Sequence, residues 1–244
     1  MLSDMSVELV DWMGTDITIV NAARVSFNKH VTESTELKNK DKKLISYLAK
    51  NGHWTPFGHG TITLIETVPL FVARQRFKHM VGFCYNEVSR RYVKEDPSFF
   101  LPDVWRSNPD NMKQGSSQTE TVEWIDPVFH ASTCTLKEKY NLDDVFEEKR
   151  VSYCVELLYK KALMLYNEML DAGVCAEQAR MVLPQGMLTS YYVTGSLAAW
   201  ARAYNLRSGV DAQKEIRELA LSWDNIIRPL FPISWSELVE WGKV

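Results

Sequence analysis

The chain lacks any run approaching the ~20 uninterrupted apolar residues that a membrane-spanning helix requires, so no membrane association is expected. Its four cysteines, at 84, 134, 154 and 175, never fall in a Cys-x-x-Cys spacing. The N-terminal MLSDMSVELVDW has neither the basic stretch nor the long apolar stretch of a secretion signal, and together these absences predict a reducing, cytoplasmic location. Positive charge is not in excess: 28 Lys and Arg stand against 31 Asp and Glu, for a net charge of −3. A chain of that balance has no field for gripping a polynucleotide backbone, which excludes nucleic acid polymers and favours a small phosphorylated ligand. No Gly-x-Gly-x-x-Gly follows a predicted strand, so a Rossmann-type grip on a dinucleotide is not expected. Internal repeats and low-complexity tracts are absent as well.

What is present suits one globular domain spanning residues 1–244, because 45% hydrophobic and 11% aromatic residues can build a sizeable core. The pattern is mixed helix and strand without βαβ regularity, hence α+β. Residues 7–12 alternate like an edge strand; 17–25 and 41–50 read as helices, the second stopped by Asn51-Gly52. Residues 61–68 alternate as a strand, and Pro69 suits the first turn of a following helix. Prolines and polar residues make 95–132 an irregular insert. Helices are expected at 151–170, 176–183, 196–206 and 211–227, with a strand at 188–194.

The densest polar segment is RQRFKHMVGFCYNEVSRRY, residues 74–92, which places five Lys or Arg and one His in nineteen residues. It follows the apolar residues 70–73, so its cations are expected to emerge from the core into a cleft and to need an anion there. Spacing alone leaves Ser89-Arg90-Arg91 open to being a solvated face, Arg207 to being a helix C-terminal cap, and His53 to being a hydrogen-bonding histidine. His53 and His59 bracket a proline-containing segment with no third ligand, so no metal site is expected.

Five segments, in order, carry a resemblance over nearly the whole chain. They are VELVDWMGTDITIVNAARVSF at 7–27, GHWTPFGH at 52–59, ARQRFKH with YNEVSRRY at 73–92, ARMVLP at 179–184 and NLRSGVDAQKEIR at 205–217. In these the chain resembles the flavin-dependent thymidylate synthases. The resemblance implies a fold of mixed helices around a small antiparallel sheet. It implies methylation of dUMP to dTMP, with methylenetetrahydrofolate giving the carbon and FAD, reduced by NADPH, giving the hydride. No cysteine nucleophile is implied: Cys84 stands at a family serine position and reads as a packing residue. A homotetramer with shared sites is implied too.

Carried over by position, the catalytic residues are Arg207, against the pyrimidine, and His53 in support. The dUMP residues are Gln75, Arg76, Lys78, Glu87, Val88, Ser89, Arg90, Arg91, Arg180 and Arg207. FAD falls to Ser26, Thr55, Lys78, His79, Met80, Glu87, Ser196 and Arg202. Lys78-His79-Met80 replaces the family's Arg-His-Arg, with one extra residue before Asn86, and Met80 cannot donate a hydrogen bond. Arg76 or Arg202 is expected to compensate. Ser196, Leu197, Ala198 and Arg202 stand where the family often has Asn, Ala, Arg and Asn, and Gly58 where an acid is common. A flavin reductase, or a nucleotide-binding protein without synthase activity, is the alternative reading. For Trp54, Trp200, Tyr191 and Tyr192, core packing is the expected fate.

Overall fold

The computed structural model describes residues 2–29, 36–93, 95–108, 116–117, 119–125 and 149–240. Its chain divides into two compact units, one made of Met5–Val88 with Leu188–Val244 and the other of Met1–Asp4 with Ser89–Met187.

The first unit is built on a four-stranded antiparallel sheet. Strands β1 (Ser6–Met13), β2 (Thr61–Pro69), β3 (Phe83–Glu87) and β6 (Leu188–Ser196) are arranged β1-β2-β6-β3. Alternation in β2 sends Ile62, Leu64, Glu66 and Val68 to the core face while its threonines face outward. Thr63 bonds Thr194 at 2.9 Å and Thr67 bonds Ser190 at 2.7 Å on that outer face. β1 is the edge strand expected, with a shift in register between Leu9 and Asp11.

Helices α1 (Asp16–Arg24), α2 (Asn39–Lys50), α3 (Leu70–Arg76), α6 (Leu197–Arg207), α7 (Lys214–Leu230) and α8 (Pro232–Glu240) belong to the same unit. α7 presents Ile216, Leu219, Ala220, Trp223 and Ile227 to the core at helical spacing. They pack in one cluster with Ile19, Phe57, Ile62, Val193, Trp200 and Trp235. Asp16 ties the ends of the unit together: its carboxylate accepts the backbone N–H of Ile233 at 2.9 Å and of Ser234 at 2.8 Å, satisfying donors that the first turn of α8 cannot pair internally.

The second unit holds β4 (Trp124–Ile125) paired with β5 (Lys149–Arg150), the long helix α4 (Val151–Asp171) and the short α5 (Ala176–Ala179). The stretch expected to be wholly irregular carries backbone pairing: Ser107 donates to Glu120 at 3.0 Å and Val122 to Trp105 at 2.8 Å. Part of the insert, and Cys134, lie outside the described residues.

Two local expectations are corrected. Pro69 is extended, with ψ 150°, and ends β2 as the cap of α3 instead of entering its first turn. The helix expected at 176–183 is four α-helical residues followed by a 3-10 turn at Arg180–Val182. β3 was not anticipated, because its alternation of inward Phe83 and Tyr85 covers only five residues inside a charged stretch.

Candidate active site

The end of α3 decides where the charged segment goes. The helix is short, and the chain turns at residues 77–82 to enter β3. Gly82 sits at φ 80°, a conformation glycine adopts without strain, and a Cβ there would come within 2.8 Å of Ala199 Cβ. That close approach lays the turn against the start of α6. Ser196 N–H donates to Gly82 O at 3.2 Å, the Ser196 hydroxyl caps α6 by accepting from Ala199 N–H at 3.2 Å, and an Arg202 N–H donates to Val81 O.

Arg76 does not emerge into a cleft. Its side chain is 0% exposed, as is that of Glu66, and Nε donates to the Glu66 carboxylate oxygens at 3.1 and 3.3 Å. The guanidinium lies over Phe83, Trp200, Trp223 and Tyr85, its carbon 4.4–5.1 Å from the ring centroids, which offer the cation their negative faces. Nη1 donates to the Tyr85 hydroxyl, and Nη2 is buried without a hydrogen-bond partner among the described residues. The expectation that Arg76 meets the nucleotide, or compensates at the flavin, is therefore replaced by a structural role: an inward-facing acid on β2 draws this cation into the core. Tyr191 completes the cluster, donating to Glu66 at 2.6 Å.

One turn further on, His79 and Arg207 meet. Arg207, in the last turn of α6, donates from Nε to His79 Nε2 at 2.9 Å, and its Nη2 reaches Gln75 O at 3.5 Å. Burial, with Arg207, Arg76 and Arg202 adding positive charge nearby, lowers the His79 pKa from 6.5 to about 4. The ring is thus neutral at pH 7, as an acceptor must be. The Tyr85 hydroxyl donates to His79 O at 2.7 Å, and burial raises the phenol to about 12, which keeps it protonated. The Gln75 side chain donates to Gln213, which donates to Glu215 at 2.8 Å. Lys78 and Met80 are exposed, Met80 by 67%.

Ser26 and Thr55 present exposed hydroxyls from 3-10 turns at Val25–Phe27 and Thr55–His59. His53 is also exposed; its backbone N–H donates to Leu48 O at 2.9 Å and its ring meets Tyr47 edge-on at 5.8 Å. Trp200 and Tyr191 are core residues, whereas Trp54 and Tyr192 are 57% and 50% exposed and so depart from the packing expectation. Among the described residues no three His, Cys, Asp or Glu side chains gather as metal ligands.

Glu87 and Val88 close β3: Thr189 donates to the Glu87 carboxylate at 2.7 Å and Val88 N–H to Ser190 O at 2.9 Å. Ser89, Arg90, Arg91 and Arg180 belong to the second unit. There Ser89 Oγ accepts from Arg91 Nε at 3.2 Å, and Arg90 donates to the carbonyls of Val93 and Glu95. Arg91 lies 4.0 Å from the Glu177 carboxylate, and Arg180 donates to the Glu177 carbonyl at 3.3 Å. Glu177 thus gathers Arg91 and Arg180 into one exposed basic group.

Sequence reasoning missed Glu66, Tyr85, Gln213 and Glu215. Glu66 had a signal: it shares the phase of Ile62, Leu64 and Val68, so the alternation itself puts an acid in the core. The other three lie inside the matched segments, in YNEVSRRY and NLRSGVDAQKEIR, and carry no further signal.

The family model described as thymidylate synthase complementing protein matches residues 8–233. The chain is 35% identical over 236 residues to the flavin-dependent thymidylate synthase of Thermosipho africanus, covering 97% of this chain and 91% of that protein. It is 34% identical to that of Thermotoga neapolitana with the same coverage. Among solved structures, the UMP/dUMP methylase PolB of Streptomyces cacaoi bound with 5-Br UMP matches with a TM-score of 0.74 and 25% identity, over 99% of this chain and 96% of that one. The same enzyme bound with 5-Br dUMP aligns with a TM-score of 0.78 at 24% identity, over 100% of this chain and 98% of that one, and shows the shared fold.

Proposed function

Since the chain belongs to the flavin-dependent thymidylate synthase family, we propose that it methylates C5 of dUMP to give dTMP in the cytoplasm, taking carbon from methylenetetrahydrofolate and reducing equivalents from NADPH. The observation that carries this reading is Arg207 held by His79 through Nε, with its Nη1 used in none of its described hydrogen bonds. C5 of uracil is a poor nucleophile until negative charge on the ring is stabilised, and a fixed guanidinium supplies that without a covalent adduct. Cys84 is an unsuitable nucleophile on this reading: in β3 it points to the sheet face opposite Phe83 and Tyr85. Cys84→Ala should retain activity.

FAD supplies the hydride when bound. The donor set present fits its anionic and hydroxyl groups: the exposed Lys78 ammonium, Arg202 beside Val81, and the hydroxyls of Ser26 and Thr55. Met80 offers no donor, and the side chains of Ser196 and His79 are engaged within the protein. Arg202 is the cation that answers for Met80. The phosphate of dUMP is assigned to Ser89, Arg90, Arg91 and Arg180, whose forked donors suit a dianion. Their present partners are mainly carbonyls and each other, which a phosphate can outbid. Lys78, Gln75, Glu87 and Val88 are assigned to the rest of the nucleotide, and His53 to support at the flavin face.

The test is the visible spectrum of protein loaded with FAD and desalted, followed anaerobically under NADPH with and without dUMP. Retained flavin whose reduction or reoxidation responds to dUMP supports the synthase, with dTMP as product. A response indifferent to dUMP points to a flavin reductase, and no retained flavin to a nucleotide-binding protein. The homotetramer with shared sites is tested by mixing Arg180→Ala and Arg207→Ala subunits; recovered activity supports it, and no recovery after verified exchange counts against it.

A further inference from the structure

The contacts that end at Arg207 begin in the core. Glu66 holds Arg76, Arg76 donates to the Tyr85 hydroxyl, Tyr85 donates to the carbonyl of His79, and the His79 ring accepts from Arg207. We propose that His79 is a positioning residue whose Nε2 sets the rotation of the Arg207 guanidinium, and that the buried Glu66–Arg76–Tyr85 relay fixes the backbone from which His79 works. The inference rests on the reading of Arg207 given above and removes His79 Nε2 from the flavin contacts.

The physical reason is that an arginine at the end of a helix has several rotamers of similar energy, and only a fixed acceptor selects one. Gln75 O, at 3.5 Å, is too distant to do so alone. A carboxylate at position 79 would hold Arg207 more tightly but would neutralise the charge that the pyrimidine needs. A neutral imidazole orients the cation and leaves its charge intact. The Tyr85 bond to the His79 carbonyl matters because residues 77–82 form a turn, where no helix ladder fixes the peptide plane.

The experiment is a double-mutant cycle on FAD-loaded enzyme with dUMP, methylenetetrahydrofolate and NADPH. His79→Leu should lower kcat by about 10–100-fold, the size expected for a hydrogen bond to a charged group, with a smaller change in KM for dUMP and flavin retained. His79→Gln, whose amide oxygen can occupy the place of Nε2, should recover most of the loss. In an Arg207→Ala background His79→Leu should cost nothing further. Additive losses, or no rescue by Gln, would overturn the proposal. Nitrogen-15 NMR of the unmutated protein should show Nδ1 protonated and Nε2 free of a proton at pH 7; an Nε2–H tautomer would overturn it even if His79→Leu fails to fold. Should Arg207→Ala retain full turnover, the reading of Arg207 fails instead, and the NMR result still reports on the contact.

Discussion

The two units treat their arginines in opposite ways. In the sheet unit, Arg76 is sealed between Glu66 and aromatic rings, Arg207 is aimed by His79, and Arg202 is pinned to Val81 O. In the other unit, Arg91 and Arg180 are exposed and held by long or single contacts to Glu177. A cation that must stabilise developing charge on a ring has to be placed beforehand, because reorganisation during reaction is costly. A cation that meets a preformed dianion can be drawn into place by it.

The largest effect is expected where the contrast is strongest. Arg76→Met strands the buried Glu66 charge and should destabilise the protein by about 3–5 kcal/mol, read by urea melts, while Arg76→Met with Glu66→Leu should recover most of that. Arg207→Ala should cost about 2.7–4 kcal/mol of transition-state stabilisation, seen as slower dTMP formation with little change in melting temperature. Acid should act through His79. Its pKa is 6.5 unfolded and about 4 folded, so between those values the unfolded chain binds the extra proton. Stability therefore falls as pH drops from above 6.5 towards 4, by up to about 3 kcal/mol, and His79→Gln should blunt the loss. The smallest effect belongs to the adaptable side: Ser89→Ala should raise KM for dUMP by about 5–10-fold with kcat nearly unchanged, since one phosphate hydrogen bond among several is lost. A fall in kcat there instead would erase the distinction between the two units.

Much of this was legible locally. The strand at Thr61–Pro69, the edge strand β1 and the helices α1, α2, α6 and α7 follow from period and stop signals that a short window contains, whereas α8 was not anticipated. The matched segments bring Gln75, His79 and Arg207 into one neighbourhood. What a window cannot hold is a partner distant in sequence. Arg91 looks solvated until Glu177 arrives from α5, and Arg76, although Glu66 stands only ten residues before it on β2, looks like its basic neighbours until Trp200 and Trp223 close around it. The break at Arg180, between α5 and its 3-10 turn, likewise has no residue signal, since ARMV lacks both glycine and proline.

The carboxylate of Asp16 has a bearing on how the chain is made. Its partners at Ile233 and Ser234 lie 217 and 218 positions away, and β2 waits for β6, whose residues are 100 or more positions further along the chain. In synthesis from the N-terminal side β1 meets β2 early, but α1 and the other edge of β2 wait for partners far along the chain, and contacts so distant in sequence close slowly. The sheet unit therefore cannot finish folding until β6 and α8 have been made, and the Asp16 carboxylate waits 217 positions for the first of its partners.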